Sequence, residues 1–223
     1  MFGCAVGDAL ALLQRCLDEL NLEFSTEVCE RLLWLGEELL RWNKKVNLTS
    51  ICLLEEVVVK HLADSLTVVP LLQSDERLLD VGSGGGFPGL PLAIVDPARD
   101  VVTVDAVGKK IHFQRHVVRR LGLDHCLPLH LRMEDLPRWS DFDGGFDVIL
   151  SRAFASIRDF ARLAHPCLSR EGRLLAMKGP EGDRELRMDE KFLRELGLEF
   201  EALHRFSLPL AAGERQILLF RRI

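Results

Sequence analysis

Residues 77–105 read RLLDVGSGGGFPGLPLAIVDPARDVVTVD, and the order of residue types along them predicts the architecture of the chain. A short, mainly apolar run over residues 78–81 is followed by five glycines between residues 82 and 89, by an apolar segment over residues 90–95, and by a second apolar run that ends in Asp105. This order predicts a strand, a tight loop, a helix and a second strand, which together form a β-α-β unit. The acidic side chain of Asp105 then lies at the end of the second strand.

The residue types in this unit favour binding of an adenosine-containing cofactor. Glycine allows positive φ values and a close approach of the backbone to a ligand, and the helix N-terminus offers unpaired N–H groups to a carboxylate or a phosphate. Pro88 and Pro91 suit the first turn of the helix. Asp105 is placed to accept hydrogen bonds from the two hydroxyls of a ribose. The alternative, a glycine turn without a ligand, is the weaker interpretation because five glycines and an acidic strand end occur together.

Length and composition predict one core with an appendage. The 223 residues are 48% hydrophobic, no apolar run approaches the ~20 residues of a membrane span, and the N-terminus lacks the pattern of a signal peptide. We therefore expect a cytoplasmic protein. The six cysteines form no CxxC pair and are expected to be reduced. His112 and His116 are four residues apart on a predicted helix, but no third ligand stands at a suitable spacing, so we expect no metal.

The charge is distributed unevenly along the chain. A net charge of −5 argues against a protein that binds nucleic acid over its whole surface. Arg41, Lys44 and Lys45 nevertheless cluster, and residues 109–120 contain five basic and no acidic residues. Local basic faces of this kind suffice for phosphate contacts. The alternative for residues 109–120 is a solvated face of an amphipathic helix.

Helices are predicted before the glycine-rich unit. Leucine and valine recur at helical spacing over residues 5–20 and 25–42, with Ser25 as the N-cap of the second helix. Residues 41–51 break this period and predict a structured loop, in which Trp42 suits either contact with single-stranded RNA or, the interpretation we favour, a cap on the core. Residues 55–72 resume as helix. We expect a helical extension over residues 1–76 and a larger domain over residues 77–223.

Strands and helices alternate after Asp105. The pattern predicts a basic helix over 109–121, a strand over 127–131, a strand over 146–154, a helix over 160–168 and a strand over 172–178. Such alternation is typical of a mostly parallel sheet with helices on both faces. Residues 198–208 and 215–222 predict two consecutive strands, so the sheet ends in an antiparallel pair.

Two kinds of cofactor fit the glycine-rich unit. Residues 84–89 satisfy the dinucleotide pattern G-x-G-x-x-G, with Asp105 about 20 residues further on, so a nicotinamide-dependent oxidoreductase is one candidate. Asp80 at the end of the first strand and Glu134 after the third strand instead resemble the pattern of class I S-adenosylmethionine methyltransferases.

Several segments, in order, resemble the RsmG (GidB) family, the bacterial 16S ribosomal RNA guanine-N7 methyltransferases. They are WNKKVNLTS, HLADS, DVGSGGGFPGLPLAI, VDAVGKKIHF, MEDL, SRAFA and MKG. The similarity extends from about Leu39 to Arg215. The segment GERQ near Gly213 departs from relatives that carry GERH, and since Gln216 can still form hydrogen bonds, the departure bears only on a fine RNA contact.

The resemblance implies a class I S-adenosylmethionine methyltransferase fold, which is a Rossmann-like α/β fold with a mostly parallel seven-stranded sheet and helices on both faces. It also implies methyl transfer from S-adenosylmethionine to N7 of a specific guanine in 16S ribosomal RNA of the small subunit. The cofactor site that it implies consists of Gly82, Gly84, Phe87, Asp105, Ala106, Val107, Met133, Glu134 and Arg152.

Basic side chains are the expected RNA contacts. Arg152 has a structural ion pair as its alternative role. Guanine N7 carries a lone pair and no proton, so we expect no general base and no catalytic Ser, Cys or His. We expect a monomer whose partner is 16S ribosomal RNA or the small ribosomal subunit, with no membrane partner. The candidate RNA contacts are Arg41, Lys44, Lys45, Lys60, Arg152, Lys178 and Arg215.

Two other functions stay open at the level of the sequence. One is the nicotinamide-dependent oxidoreductase, and the other is a non-catalytic RNA-binding assembly factor on a methyltransferase scaffold. The intact glycine loop and Asp105 favour a working enzyme over the assembly factor. The fold by itself does not decide, because this scaffold serves many substrates.

Overall fold

A computed structural model describes residues 4–139, 145–152, 154 and 156–223 of the chain. Its centre is a seven-stranded sheet in the order β3-β2-β1-β4-β5-β7-β6. The strands β1 to β5 run parallel to one another, whereas β7 is antiparallel to both β5 and β6. The strands are β1 (Leu78–Val81), β2 (Val101–Asp105), β3 (Cys126–His130), β4 (Phe146–Ser151), β5 (Leu168–Lys178), β6 (Leu198–Ser207) and β7 (Glu214–Arg222).

The carboxyl ends of the five parallel strands meet at one edge of the sheet. In open α/β sheets, ligands bind outside this edge, where the strand order changes direction. Here the order changes at β1, because β2 lies on one side of β1 and β4 lies on the other. The antiparallel β7 begins at the same edge, since Lys178 at the end of β5 is paired with Gln216 near the start of β7. The tail of the chain thereby contributes side chains to the ligand-binding edge.

Helices cover both faces of the sheet. The helices are α1 (Cys4–Glu19), α2 (Thr26–Val46), α3 (Leu54–Val57), α4 (Asp64–Leu66), α5 (Gly89–Val95), α6 (Gly108–Leu121), α7 (Ile157–Ala164) and α8 (Gly182–Glu195). A π-helical turn, Val58–Ala63, joins α3 to α4, and 3-10 turns occupy Val69–Leu71, Met133–Arg138, His165–Cys167 and Pro209–Ala211. No helix among the described residues is both long enough and apolar enough to cross a membrane.

Two hydrophobic clusters lie on the two faces. One combines the helices before β1 with α5, α6 and one face of the sheet, so that Leu13 and Leu35 belong to the same cluster as Phe113 and Leu150. The other packs α7, α8 and the turn after β3 against the opposite face, around Phe160. Burial of apolar surface is the dominant favourable term in folding, so the N-terminal helices and the sheet stabilise each other.

Most predicted elements are confirmed. Ser25 is the N-cap of α2, and its side chain accepts a hydrogen bond from the Val28 amide. The helix over 109–121 and the strand pair at the C-terminal end are present within one or two residues of their predicted ends. Ala153, near the end of the strand predicted over 146–154, and Ala155, directly after that strand, lie outside the described residues.

Four predictions were wrong in extent, one of them the strand predicted over 172–178, which begins earlier, at Leu168, as β5. The loop predicted over residues 41–51 begins later, because α2 continues to Val46 and ends at Asn47, whose φ of 48° is left-handed. The strand β4 ends at Ser151 and the helix predicted over 160–168 ends at Ala164. The helix α8 was not predicted at all, although its residues 182–195 alternate charged and apolar side chains at helical spacing.

Candidate functional site

Three adjoining clefts lie at the carboxyl edge of the sheet. The strand-end cleft, of about 210 Å³, is lined by residues that follow β2 and β3, among them Asp105 and Met133. The glycine-loop cleft, of about 110 Å³, is lined by residues 82–85 and Phe87. The basic cleft, of about 400 Å³, is lined by Lys60, Asp64, Arg152, Lys178 and Arg215, among others.

The clefts share lining residues and are therefore neighbours. Gly82 lines both the strand-end cleft and the glycine-loop cleft. His61 and Arg152 line both the glycine-loop cleft and the basic cleft. A ligand beside Asp105 would thus reach, past the glycine loop, toward the cations of the basic cleft.

The glycine loop follows β1 in a conformation that requires glycine. Gly82 and Gly84 have φ values of 68° and 59°, and Gly86 has a φ of 90°. A Cβ atom at Gly86 would also overlap the side chain of Leu90. Positive φ is costly for residues with a Cβ, so the loop keeps its shape only with glycine at these positions.

Asp105 lies beside the glycine loop and is buried, with 7% of its surface exposed. Its Oδ2 atom accepts a hydrogen bond from the Gly84 amide at 2.9 Å, and its Oδ1 atom accepts one from the Val107 amide at 2.8 Å. The Lys110 ammonium lies 3.5 Å from Oδ2. A carboxylate has about four acceptor positions, so each oxygen keeps one for a ligand hydroxyl in the strand-end cleft.

A buried glutamine holds the glycine loop in place through hydrogen bonds. The Gln114 Nε2 atom donates to Ser83 Oγ and to the Gly84 carbonyl, each at 2.8 Å, while Thr103 Oγ1 donates to Gln114 Oε1 at 2.5 Å. Gln114 is fully buried. Sequence reasoning missed it, although a glutamine next to Phe113 and three residues before Val117 on the apolar face of α6 is a detectable signal.

Asp80 fixes the start of the next helix. Its Oδ2 atom accepts a hydrogen bond from the Gly89 amide at 2.8 Å, and its Oδ1 atom has no hydrogen-bond partner among the described residues. Burial raises the pKa of Asp80 to about 7, against the opposing effect of the Gly89 amide.

His61 and Arg152 form the boundary between the glycine-loop cleft and the basic cleft. The His61 ring stacks on Phe87 with 4.9 Å between the ring centroids. Its Nδ1 atom lies 3.0 Å from an Arg152 nitrogen and its Nε2 atom lies 2.9 Å from Thr49 Oγ1. A guanidinium only donates, so Nδ1 is the acceptor and Nε2 carries the proton. Burial and the adjacent guanidinium lower the pKa of His61 to about 3, which keeps the ring neutral.

Asp64 joins two arginines in the basic cleft. Its Oδ2 atom lies 3.2 Å from Arg152 Nη1, and its Oδ1 atom lies 3.2 Å from Arg215 Nε. The Asp64 side chain is only 3% exposed, whereas those of Arg152 and Arg215 are 21% and 29% exposed. Arg152 therefore makes the structural ion pair that was its alternative role and lines both clefts as well.

Two lysines complete the basic cleft. Lys178 lies 2.9 Å from the Glu185 carboxylate and donates to the Phe154 carbonyl at 3.0 Å. Lys60 pairs with Glu56 at 2.5 Å on the surface of its helix.

The residues of the predicted cofactor site divide between two clefts. One member, Val107, lines neither cleft; it is exposed and contributes its amide to Asp105. The strand-end cleft is lined by Gly82, Asp105, Ala106, Met133 and Glu134, and the glycine-loop cleft by Gly82, Gly84, Phe87 and Arg152.

The predicted RNA contacts divide into two groups. Lys60, Lys178 and Arg215 line the basic cleft together with Arg152. Arg41, Lys44 and Lys45 line none of the three clefts and are exposed near the C-terminal end of α2. The fold therefore separates two sets of cations that the sequence presented as one class.

Asn43 and Trp42 of the segment WNKKVNLTS have structural roles. The Asn43 side chain accepts hydrogen bonds from the Leu48 and Thr49 amides and donates to the Thr49 carbonyl at 2.8 Å. Trp42 packs against α6, with its ring 5.0 Å from that of His116, which confirms the favoured interpretation of a core cap. Gln216 is likewise used internally, since its amide bonds to the Asp183 amide and the Pro180 carbonyl.

The sheet and its flanking helices match solved methyltransferase structures. The TehB-like SAM-dependent methyltransferase from Corynebacterium glutamicum superimposes with a TM-score of 0.53 at 17% identity, over 72% of this chain and 87% of that one. M. jannaschii TYW2 in complex with AdoMet superimposes with a TM-score of 0.56 at 14% identity, over 72% of this chain and 75% of that one. At such low identity, these similarities show the fold alone. It is the predicted class I fold.

Sequence comparison gives the family. Residues 28–217 match the model of the family described as rRNA small subunit methyltransferase G. The ribosomal RNA small subunit methyltransferase G of Syntrophotalea carbinolica is 45% identical over 94% of this chain and 96% of that protein. The protein of the same name from Geobacter sulfurreducens is 44% identical over 95% of this chain and 96% of that protein. Together with the glycine loop, Asp105 and the basic cleft beside them, this similarity means that the chain belongs to the rRNA small subunit methyltransferase G family.

Proposed function

We propose that the protein transfers a methyl group from S-adenosylmethionine to N7 of a specific guanine in 16S ribosomal RNA of the small subunit. The observation that carries this proposal is the row of neighbouring clefts from Asp105, past the glycine loop, to the basic cleft, in a chain that is 45% identical to a small-subunit RNA methyltransferase. We also propose that it acts as a monomer in the cytoplasm, and that residues 1–76 are an extension to a methyltransferase domain over residues 77–223.

The residues that line the strand-end cleft and the glycine loop suit S-adenosylmethionine. The glycines at 82 and 84 have positive φ and carry no side chain, so the backbone leaves room for an amino-acid carboxylate. The remaining acceptor positions of Asp105 suit the two ribose hydroxyls, and Met133 with Phe154 offers apolar contact to an adenosyl group. When bound, the cofactor supplies an activated methyl group on a sulfonium.

The mechanism requires alignment rather than proton transfer. Guanine N7 attacks with a lone pair and has no proton to lose, so a general base has no task. Neutral His61 fits this requirement, because both of its ring nitrogens are engaged, with Arg152 and with Thr49. The protein holds the base in line with the methyl group, an effect that reaches roughly 7–11 kcal/mol for well-oriented reactants.

The basic cleft suits the RNA because its four cations are partly exposed and stand next to the glycine loop. Arginine and lysine bind phosphates, and an arginine that donates to the O6 atom of guanine alone leaves N7 free. Arg41, Lys44 and Lys45 form a second patch for more distant phosphates of the same RNA.

The test is methyl transfer from radiolabelled S-adenosylmethionine to unmodified small-subunit RNA, both naked and in assembled subunits. Chemical cleavage at N7-methylguanine then maps the product. Label at one guanine is the expected result. Label on another atom would keep the methyltransferase and reject N7. Absence of label on every form of RNA, with cofactor binding shown by a thermal shift, would reject the proposal in favour of a non-catalytic assembly factor.

A further inference from the structure

We propose that the basic cleft is the binding site for the target guanine base and that Asp64 recognises it through N1–H and the 2-amino group. This inference rests on the proposed function. In this inference a carboxylate discriminates among the bases. Cations that contact phosphates do not provide such discrimination.

The position of the cleft is the first argument. A reacting base must come close to the methyl group, and the basic cleft adjoins the glycine-loop cleft through His61 and Arg152. Its volume of about 400 Å³ is within the roughly 300–1,000 Å³ that small-ligand sites occupy. Enzymes that act on a base commonly take it out of the stack into such a pocket.

The chemistry of the lining is the second argument. Asp64 is the one carboxylate among the described residues that line the cleft, and it is buried. Among the four RNA bases, only guanine presents two adjacent N–H donors on its Watson–Crick edge, and the two oxygens of a carboxylate match them. Adenine and cytosine present a ring-nitrogen acceptor there, which a carboxylate repels.

The hydrogen bonding of Asp64 leaves room for the base. Each oxygen accepts one arginine bond, from Arg152 or from Arg215, and a carboxylate oxygen can accept a second. The two guanidinium groups offset the charge of the buried carboxylate. They also place donors next to it, where O6 of a base held by N1–H would lie. N7 is on the other edge of the base and is left free for methylation.

Apolar side chains supply surfaces for the faces of the base. Met177 and Ile217 are buried beneath the cleft, and Ile51 and Phe206 are half-buried at its sides. Recognition of an extruded base typically combines hydrogen bonds to its Watson–Crick edge with packing against aromatic or apolar groups. The basic cleft contains both.

The experiment uses small-subunit RNA in which the mapped guanine is replaced by inosine, which keeps N7, O6 and N1–H and lacks only the 2-amino group. We expect the wild-type protein to methylate the inosine RNA with a kcat/KM roughly 10-fold lower or more, the size of effect that one base-specific contact gives. We expect Asp64→Asn to lower kcat/KM on guanine RNA. The ratio of kcat/KM on guanine RNA to kcat/KM on inosine RNA should then be close to one. Lys60→Gln is the matched control. Loss of a cation at the rim of the cleft should lower kcat/KM equally on both RNAs and leave their ratio unchanged.

Each outcome is decisive. Equal methylation of the two RNAs by the wild-type protein, a measurement that needs no variant, would overturn the inference and leave the proposed function intact. An unchanged ratio in a folded Asp64→Asn protein with normal cofactor affinity would show that Asp64 only holds the arginines, and would overturn it as well. Failure of the wild-type protein to methylate natural RNA would reject the proposed function and this inference with it.

Discussion

Gln114 is the residue that most directly connects the core to the glycine loop. Its two bonds from Nε2 and the one to Oε1 tie the loop to β2 at Thr103. Buried polar groups that lose a partner cost about 1–3 kcal/mol each, so the loop depends on this side chain for its conformation.

We predict that Gln114→Leu weakens binding of S-adenosylmethionine while the protein stays folded. Leucine fills similar volume but leaves Ser83, Gly84 and Thr103 without their partner, so the loop loses order. The expected loss of affinity is roughly 10-fold, or ~1.4 kcal/mol. Isothermal calorimetry measures it, and Arg119→Ala, at an exposed position of the same helix, is the control. Unchanged affinity would assign Gln114 to stability alone.

Asp80 gives the stability of the protein a defined dependence on pH. Burial raises its pKa from 3.8 to about 7. Between these values the folded protein retains a proton that the unfolded chain has released. The free energy of unfolding that Asp80 contributes is therefore fully present below pH 3.8 and is lost as the pH rises through about 7.

We predict that Asp80→Asn flattens this dependence and makes the protein more stable than wild type at about pH 8, where the unpaired carboxylate is charged. The asparagine oxygen can still accept the Gly89 amide bond, so the loop keeps its anchor. Urea unfolding at a series of pH values is the measurement, with the exposed Asp124→Asn as control. A decrease in stability at alkaline pH would mean that the charge is favourable where it lies.

At the scale of elements, the extension of α2 to Val46 sets the position of a whole group of cations. A loop could have folded Arg41, Lys44 and Lys45 toward the cleft, whereas a helix holds them on its exposed surface. The turn that follows is fixed by Asn43 and places Thr49 against His61. The helix end thus supplies one contact to the site and keeps its charges apart from it.

We predict that Lys44→Gln with Lys45→Gln weakens RNA binding without changing cofactor affinity. Two phosphate contacts in single-stranded RNA should contribute about −1.4 to the slope of log affinity against log salt, and the variant should lose this amount. Filter binding over a range of salt concentrations measures the slope. Arg119→Gln with Arg120→Gln is the control, since these residues lie at the end of α6 opposite to Gly108 and the clefts. An unchanged slope would exclude α2 from the RNA surface.

At the scale of the whole molecule, the N-terminal helices and the sheet share one hydrophobic cluster. Leu35 and Leu62 belong to the same cluster as Phe113 and Leu175. Removal of either part would expose the apolar face of the other, so the boundary near residue 76 separates two regions of the sequence without dividing the core.

We predict a single unfolding transition for the full chain. In a Trp139→Phe variant, the two remaining tryptophans, Trp34 and Trp42, lie in α2 and report on the N-terminal helices, while far-ultraviolet circular dichroism reports on all elements. Because of the shared cluster, the two signals should change at the same urea concentration. Wild-type circular dichroism is the control for the substitution. Two separate midpoints would mean that the extension unfolds independently.

Sequence reasoning alone predicted the strand-loop-helix-strand unit, the number and direction of the strands, and the family. These are local or additive features: glycine is required where φ is positive, apolar periods distinguish strands from helices, and several motifs in order rarely coincide by chance. It also determined Asp105 as a strand-end acceptor, because position at the end of a strand follows from the order of elements alone.

The grouping of side chains into clefts became apparent only from the packing of the folded chain. Asp64, Arg152 and Arg215 are far apart in the sequence and meet because the antiparallel β7 returns to the carboxyl edge of β5, beside the π-helical turn that carries His61. The same packing separated Arg41 from Lys60 and buried Gln114 under the glycine loop. The physical reason is that long-range contacts depend on how helices and strands pack around a common core, and no periodicity within one element records that packing.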